Sequence, residues 1–286
     1  MNLALKLIRI KFKILSILNP SLAAKQVLEI FQRPHFKKLR DREKEFFQIA
    51  KEKRIEHEGE DIILYELGDP AGQPVLMVHG WDSNPGSMYG IARELVKHGF
   101  FVLSLNVPAH GISKVKKTNM LKVSELITEV LKKYPTSKTF SFVTHSFGSG
   151  AVTFALSKSG IKADKLVFVT SPDKLKEVFR DFARLMGLND KAFEYMLKIT
   201  EKRFDKTFDE MQISKLLQKT DFNKLLIVHD RQDKILPFHN AKRIHELNPN
   251  SELFATEGKG HYRILWDEEV INKIKDFFNK NKQDSV

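Results

Sequence analysis

From residue 61 onward, strand-length apolar runs alternate with helix-length amphipathic segments, and no other feature of the chain restricts its fold as strongly. Several of these runs are apolar on both faces, which is typical of strands buried within a parallel sheet. The pattern predicts strands at residues 62–67, 74–78, 100–105, 139–143, 165–170, 224–228 and 252–255. It therefore predicts an α/β fold with a mostly parallel central sheet and helices on both faces.

One interval interrupts this alternation. Residues 172–222 contain no convincing strand, and this length exceeds an ordinary connection between elements. Two segments within it, "KLKEVFRDFARLMGL" and "KAFEYMLKITEKRF", have the spacing of amphipathic helices. We expect a small helical cap over the sheet, in which Phe182 and Met186 are candidate walls of a substrate pocket. The alternative is that these side chains only pack the cap onto the sheet.

The first 56 residues differ from the rest in periodicity and charge. They contain 14 Lys and Arg against 6 Asp and Glu, whereas the whole chain of 286 residues carries a net charge of +12. We therefore expect a basic helical extension at 1–56 and a main domain at 57–286 that includes the cap. Residues 1–18 form an amphipathic helix that we expect to pack on the domain or on a partner subunit. Peripheral contact between this helix and a membrane surface is the alternative.

Composition restricts the chemistry and the location. The chain has no cysteine, so disulfides, thiolate nucleophiles and cysteine metal sites are excluded. Its ten histidines are scattered without the spacing of metal ligands, and no phosphate-binding loop or nucleic-acid motif occurs. We therefore expect no metal, no other cofactor and no nucleic-acid partner. Basic residues interrupt the apolar run that a signal peptide requires, which predicts a cytoplasmic protein with or without peripheral membrane contact.

Polar turns follow five of the predicted strands. In a parallel sheet, ligands bind beyond the carboxyl ends of the strands. The turns read, in chain order, "HGWD", "NVPAHGIS", "THSFG", "HDRQDKILP" and "TEGKGHYRIL". Because the strands are predicted to run parallel, these turns should gather at one edge of the sheet. We expect a functional site there.

The turns supply a serine, an acid and a histidine in that order. Ser146 lies between a predicted strand and a helix in a turn related to the G-x-S-x-G pattern, although Thr144 occupies the first glycine position. A serine hydroxyl needs a neighbouring base to act as a nucleophile, and His261 is the candidate base. The acid that orients His261 is Asp233 or, alternatively, Asp230, whose carboxylate could instead hold its own turn.

Backbone N–H groups in the same turns are suited to stabilising an oxyanion. Phe147 directly follows the serine, and Trp81 follows Gly80 in the turn after the predicted strand at 74–78. His145 flanks Ser146, and we expect it to line the substrate pocket. We expect His79 to bond loop backbone rather than to transfer protons.

Together these segments resemble the motifs of α/β-hydrolase-fold serine hydrolases over about residues 60–280. The resemblance rests on "LMVHGWDS", "NVPAHGIS", "VTHSFGSG", "VHDRQDKILP" and "EGKGHYRIL". With "FQRP" near the start, the chain is also similar to a bacterial subgroup of this fold that has a helical N-terminal extension. The resemblance implies the following roles: Ser146 as nucleophile, His261 as base, Asp233 as acid, and Trp81 and Phe147 as oxyanion donors.

We therefore predict a cofactor-independent serine hydrolase that cleaves a small-molecule carboxylic ester, or a thioester, through an acyl-enzyme. Amide cleavage by the same residues stays open, because one fold supports several chemistries. The alternative from another class is a catalytically weak or inactive protein of this fold that acts as a membrane-surface or partner-binding module. We expect a monomer or a homodimer.

Overall fold

An eight-stranded sheet forms the centre of the described chain. The computed structural model describes residues 3–35, 39–111, 113 and 115–280, so Met1 and Asn2 of the predicted first helix and the last six residues of the predicted main domain lie outside the described residues. The strands are β1 Lys51–His57, β2 Glu60–Leu67, β3 Gln73–Val78, β4 Phe100–Leu105, β5 Ser141–His145, β6 Ala163–Val169, β7 Phe222–Asp230 and β8 Glu252–Thr256.

The sheet is mostly parallel. Its strand order is β1-β2-β4-β3-β5-β6-β7-β8. The pairs β1/β2 and β2/β4 are antiparallel, and every later pair is parallel. The carboxyl ends of β3 to β8 therefore lie at one edge, as the strand pattern predicted, and the α/β fold class is confirmed.

Helices cover both faces of the sheet. They are α1 Leu3–Leu18, α2 Pro20–Phe31, α3 Asp41–Ile49, α4 Tyr89–Lys97, α5 Met120–Lys133, α6 Phe147–Ser159, α7 Leu175–Met186, α8 Asp190–Phe204, α9 Ile213–Leu217, α10 His239–Leu247, α11 Gly260–Arg263 and α12 Glu268–Asn279. Side chains of α3, α4 and α12 form the apolar core on one face, and those of α5, α6 and α10 contribute to the core on the other. Alternate residues of β5 divide between the cores, with Phe142 in one and Val143 in the other.

The extension contains one element that the sequence did not predict. Residues 51–57 form strand β1, paired with β2, where the pattern predicted the end of a helical extension at 1–56. The segment "KEKRIEH" has a single aliphatic side chain, Ile55, which lies opposite Ile62. An edge strand with largely solvated side chains shows little apolar periodicity, so its sequence does not reveal it.

The first two helices of the extension, α1 and α2, pack on the cap helices α7 and α8. Helix α2 lies along α8, and α1 contacts both α2 and α7. The Asn189 side chain donates a hydrogen bond to the Ser16 carbonyl oxygen (3.0 Å), which joins the start of α8 to the end of α1. None of the described helices combines the length and the apolar character needed to cross a bilayer.

Helix α6 approaches strand β3 so closely at one position that only glycine fits. A Cβ added to Gly148 would overlap the carbonyl oxygen of Val78, which is backbone and cannot move aside. Gly150 lies two residues further along the same helix. A Cβ added there would instead meet the end of the Met120 side chain. The two glycines therefore form a matched pair for testing this contact.

We expect Gly148→Ala to lower the free energy of unfolding by about 3 kcal/mol, because the overlap forces the helix from the strand. Gly150→Ala should change it by no more than about 1 kcal/mol, since a methionine side chain adapts and alanine favours a helix. Urea unfolding of both variants measures the difference. Equal stability of the two variants would contradict this account of the close contact.

Candidate active site

Ser146 lies in a sharp turn between β5 and α6. Its backbone has φ 52° and ψ −114°, a conformation that residues with a Cβ rarely adopt. The Ser146 N–H donates to the Val169 carbonyl oxygen at 3.0 Å, which joins the turn to β6. Gly148 allows the following helix to lie against β3, as described above. The turn therefore presents the Ser146 hydroxyl at the carboxyl edge of the sheet.

Thr144 fits the position where the usual pattern has glycine. Its side chain is fully buried, and its hydroxyl donates to the Val167 carbonyl oxygen at 3.1 Å. The Ser149 hydroxyl lies 2.9 Å from the same oxygen atom of Thr144. Because the threonine hydroxyl has one hydrogen, which goes to the carbonyl, Ser149 donates to it. The side chain thus contacts β6 and the first turn of α6, and the sharp turn tolerates it.

His261 lies beside Ser146. Its Nε2 is 3.1 Å from the Ser146 Oγ, and its Nδ1 is 2.8 Å from an Asp233 carboxylate oxygen. His261 is largely buried and is the second residue of the short helix α11. Gly258 and Gly260 before it have φ values of 74° and 64°, which glycine adopts without strain. The structure thus brings together the serine, the histidine and one of the two candidate acids.

Asp233 is the carboxylate that contacts the histidine. Its second oxygen accepts hydrogen bonds from the N–H groups of Ile235 (2.8 Å) and Leu236 (3.0 Å). Burial alone would raise the pKa of Asp233, but the His261 hydrogen bond and charge and these two N–H groups bring that pKa below its ordinary value. The carboxylate is therefore held ionised and in a fixed orientation.

Asp230 makes contacts that differ from those of Asp233. Its carboxylate accepts from the Gln232 N–H (3.0 Å), the Thr256 hydroxyl (2.9 Å) and the Lys259 N–H (2.8 Å). Burial alone would raise the pKa of Asp230, but these hydrogen bonds outweigh it and bring that pKa below its ordinary value. Asp230 thus ties the end of β7 to the loop before His261. The alternative acid considered from the sequence positions this loop and does not contact the imidazole ring.

The turn after β3 lies against Ser146. A Cβ added to Gly80 would come within 2.6 Å of the His145 Nδ1 and 3.2 Å of the Ser146 Cβ, so only glycine allows this approach. His79 donates from Nδ1 to the Gly80 carbonyl oxygen (2.8 Å) and accepts from the Val107 N–H (3.2 Å). Burial and the nearby His110 hold the pKa of His79 well below its ordinary value. His79 therefore bonds loop backbone as a neutral ring, as expected.

Two backbone N–H groups near Ser146 remain available. In the described part of the chain, neither the Trp81 N–H nor the Phe147 N–H donates to a protein acceptor. The neighbouring Asp82 N–H donates to the His110 Nε2 at 3.1 Å, which fixes the loop beside Trp81. The Trp81 and Phe147 rings are in contact, with centroids 5.2 Å apart, so the two residues lie side by side. Such paired donors are suited to an oxyanion.

His145 supports the histidine turn rather than a pocket wall. It is fully buried, and its Nε2 donates to the His261 carbonyl oxygen at 2.9 Å. Its Nδ1 faces Gly80 and has no hydrogen-bond partner among the described residues. Burial and the neighbouring His261 ring lower the pKa of His145 to about 3, so the ring is neutral. The pocket-lining role predicted for His145 does not fit this burial.

An aromatic cluster extends from the candidate oxyanion donors to the cap. Phe31, the last residue of α2, lies 6.4 Å from the Trp81 ring and nearly parallel to it. The same phenylalanine contacts Phe179 at 4.7 Å and Phe182 at 4.8 Å, both on α7. No sequence pattern pointed to Phe31 beyond its place in "FQRP". Its contacts make the extension part of the site's surroundings.

The two cap residues predicted as pocket walls lie in different places. Phe182 is part of the aromatic cluster and partly exposed. Met186 is 4% exposed and packs in the apolar core that also holds Phe12 and Phe193. Its position at the end of α7, one helical turn beyond Phe182, places it among residues of α1 and α8. Met186 therefore packs the cap, which was the alternative considered for these side chains.

A comparison with protein families bears on the fold. A family model described as the alpha/beta hydrolase fold matches residues 73–197, which include β3, the serine turn and the first cap helix. The chain has the α/β-hydrolase fold. An esterase of Pyrococcus furiosus has a structure with a TM-score of 0.64 at 20% identity, over 87% of this chain and 98% of that esterase.

Two further relatives carry related descriptions. A structure described as an Acinetobacter baumannii lipase has a TM-score of 0.67 at 16% identity, over 85% of this chain and 95% of that protein. A chloroplastic protein of Arabidopsis thaliana named as a methylesterase is 24% identical over 109 residues, which are 37% of this chain. The match spans only 28% of that relative's length. At these identities the structural likenesses establish the fold alone.

We expect His145 to remain neutral in the folded protein as the pH falls from 6.5 towards 3. The unfolded chain takes up a proton there in this range, so the free energy of unfolding contributed by His145 decreases as the pH falls, by at most about 1.4 kcal/mol per pH unit. Histidine ring 15N shifts recorded against pH measure this directly. An imidazolium signal for His145 in folded protein at about pH 5 would contradict it.

Proposed function

We propose that the protein is a serine hydrolase that cleaves carboxylic esters through an acyl-enzyme. The observation that carries the proposal is the chain of hydrogen-bond distances from the Ser146 Oγ to the His261 Nε2 (3.1 Å) and from the His261 Nδ1 to Asp233 (2.8 Å). This arrangement lies at a strained turn, where a hydroxyl is exposed to a substrate. A structural serine has no need of a base oriented by a buried carboxylate.

In the proposed first half-reaction, the Ser146 oxygen attacks the ester carbonyl carbon while its proton passes to the His261 Nε2. The carbonyl oxygen becomes an oxyanion, which accepts hydrogen bonds from the Trp81 and Phe147 N–H groups. The tetrahedral species then collapses and expels the alkoxide, which His261 protonates to give the alcohol. Ser146 is left as an acyl ester.

Water completes the proposed cycle. His261 removes a proton from a water molecule, whose oxygen attacks the acyl carbon and again forms an oxyanion in the same N–H pair. Collapse of this species releases the carboxylic acid and returns the proton to Ser146. Asp233 holds the imidazole with Nδ1 protonated and stabilises its charge when the ring is an imidazolium. No cofactor takes part in these steps.

The substrate is proposed as a small-molecule ester with an apolar acyl group. Trp81, Phe147 and Phe31 offer apolar surface next to the reacting hydroxyl, and Phe182 extends it towards the cap. The esterase, lipase and methylesterase descriptions of the relatives are compatible with ester cleavage. Thioester or amide cleavage by the same residues stays open, as does a monomeric or homodimeric state.

The binding-module alternative has one observation in its favour, which is the exposed apolar surface of α1. That surface does not argue against catalysis, because it lies on the extension and leaves Ser146, His261 and Asp233 in contact. Docking and hydrolysis can coexist in one chain. We therefore retain hydrolysis as the proposed activity.

We expect Ser146→Ala to lower kcat/KM for p-nitrophenyl esters by at least about 1,000-fold, because the nucleophile is lost. A panel of acyl lengths measured with the wild-type protein and this variant tests the activity and the acyl preference together. Ser149→Ala, in the first turn of the same helix, is the control for folding. Full ester hydrolysis by the Ser146 variant would refute the proposal.

The two aspartates should behave differently. We expect Asp233→Asn to reduce kcat by about 10,000-fold, because an amide holds the imidazole in the wrong tautomer. Asp230→Asn should reduce kcat far less and mainly lower the melting temperature, since it weakens hydrogen bonds that fix the loop before His261. Steady-state kinetics and thermal unfolding of both variants distinguish the roles. Larger catalytic loss in the Asp230 variant would reverse the assignment.

A further inference from the structure

Helix α1 exposes a continuous apolar face. Of thirteen large apolar side chains that are exposed in the described residues, seven belong to this helix. Six of the seven follow each other at helical spacing and make up what we call the apolar face of α1: Leu3, Leu7, Ile10, Ile14, Ile17 and Leu18. Their exposed fractions range from 54% to 77%. A face of this size marks an interaction surface rather than scattered exposure.

The helix directs most of its apolar surface away from the protein. Its buried positions are Phe12 and Ser16, and Arg9 packs on the same side, where its Cγ faces Gly187. Among the described residues, the Ser16 hydroxyl and the Arg9 Nε are buried without a hydrogen-bond partner. Polar atoms thus accompany Phe12 on the side that faces the protein, while most leucine and isoleucine side chains of the helix face solvent. Such an arrangement is favourable only if something apolar covers the outer face.

The charges of α1 indicate which kind of surface its apolar face can bind. Helix α1 contains four basic residues and no acidic residue. At 100° per residue, Lys6 and Lys13 border the apolar face on one side and Lys11 borders it on the other. Lysines at the borders of an apolar face can extend to phosphate groups while the face enters the acyl region. The pattern is complementary to an anionic lipid surface.

We propose that the apolar face of α1 docks on an anionic lipid surface and that the substrate of Ser146 is an ester held in that surface. The second half of this inference rests on the proposed hydrolase function, whereas the first half does not. A second copy of the chain fits the face poorly, because two such helices would bring their lysines together without an acidic partner.

The fold connects this face with the candidate site. The buried side of α1 contacts Gly187 at the end of α7, and Phe182 lies on α7 about 7.5 Å further back along the helix axis. Phe182 contacts Phe31, which stacks on Trp81 beside the serine turn. A docked α1 therefore places the aromatic cluster within a short distance of the lipid.

The test uses the full chain carrying Ser146→Ala, so that binding is measured without catalysis. Its partition onto vesicles of phosphatidylcholine with about one third phosphatidylglycerol is compared with that onto phosphatidylcholine alone, by sedimentation. The variant of this parent that is altered on the apolar face of α1 also carries Ile10→Glu and Ile14→Glu. The matched control carries Ile49→Glu, because Ile49 (55% exposed) resembles Ile14 (54% exposed) but lies on α3. Circular dichroism checks that all proteins are folded.

We expect anionic vesicles to bind the parent and the Ile49 variant at least about tenfold better than the Ile10/Ile14 variant. Binding should weaken as salt is raised and on Lys6→Gln with Lys11→Gln. Equal binding to neutral vesicles overturns the anionic assignment. No vesicle binding, or a dimer that Ile14→Glu dissociates, overturns the lipid proposal in favour of a protein partner or a second copy.

The claim that the substrate is an ester in the docked surface is tested by a separate measurement. In protein with Ser146 intact, the ratio of the hydrolysis rate on a vesicle-borne acyl ester to that on a soluble short-chain ester should fall at least about fivefold with Ile10→Glu and Ile14→Glu. An unchanged ratio overturns the claim that the ester is taken from the docked surface. Absence of hydrolysis of both esters by every protein would instead refute the proposed function and leave the vesicle-binding result standing.

Discussion

The close contact between helix α6 and strand β3 at Gly148 is the constraint on which the rest of the site depends. No Cβ separates the helix from the Val78 carbonyl, so α6 begins directly against β3, and Ser146 in the turn before it has a positive φ of 52° with ψ −114°. The Val169 carbonyl and the buried Thr144 hydroxyl bonds hold that turn from the side of β6. The strain of the Ser146 turn is thus offset by the packing of α6 on β3 and by the hydrogen bonds to β6.

Around this turn, burial keeps the rings of His79 and His145 neutral, and both rings act as fixed hydrogen-bond partners. His79 holds the turn that carries Trp81, and His145 holds the carbonyl of His261. Asp230 fixes the loop before His261, so that the ring meets both Ser146 and Asp233. The ionised Asp233 carboxylate is in turn held in place by His261 and by two backbone N–H groups.

The sequence could predict much of the fold because strands buried on both faces have unmistakable apolar runs, as in residues 100–105. It could not predict β1, whose segment "KEKRIEH" is solvated, nor the face of α1 that packs inward, since tertiary contacts decide it. Asp233 and Asp230 stand three residues apart, and only the three-dimensional path of the loop separates their roles. Phe31 joins the site through a contact between distant segments, which no local pattern encodes.

The nucleophilic role of Ser146 is the central claim, and covalent labelling tests it most directly. The protein is treated with a fluorophosphonate probe, digested, and analysed by peptide mass spectrometry. The account predicts one adduct, on the peptide containing Ser146, with labelling slowed at least about 100-fold by His261→Gln because the base is lost. Labelling at another serine, or labelling of Ser146 at the same rate without His261, would contradict it.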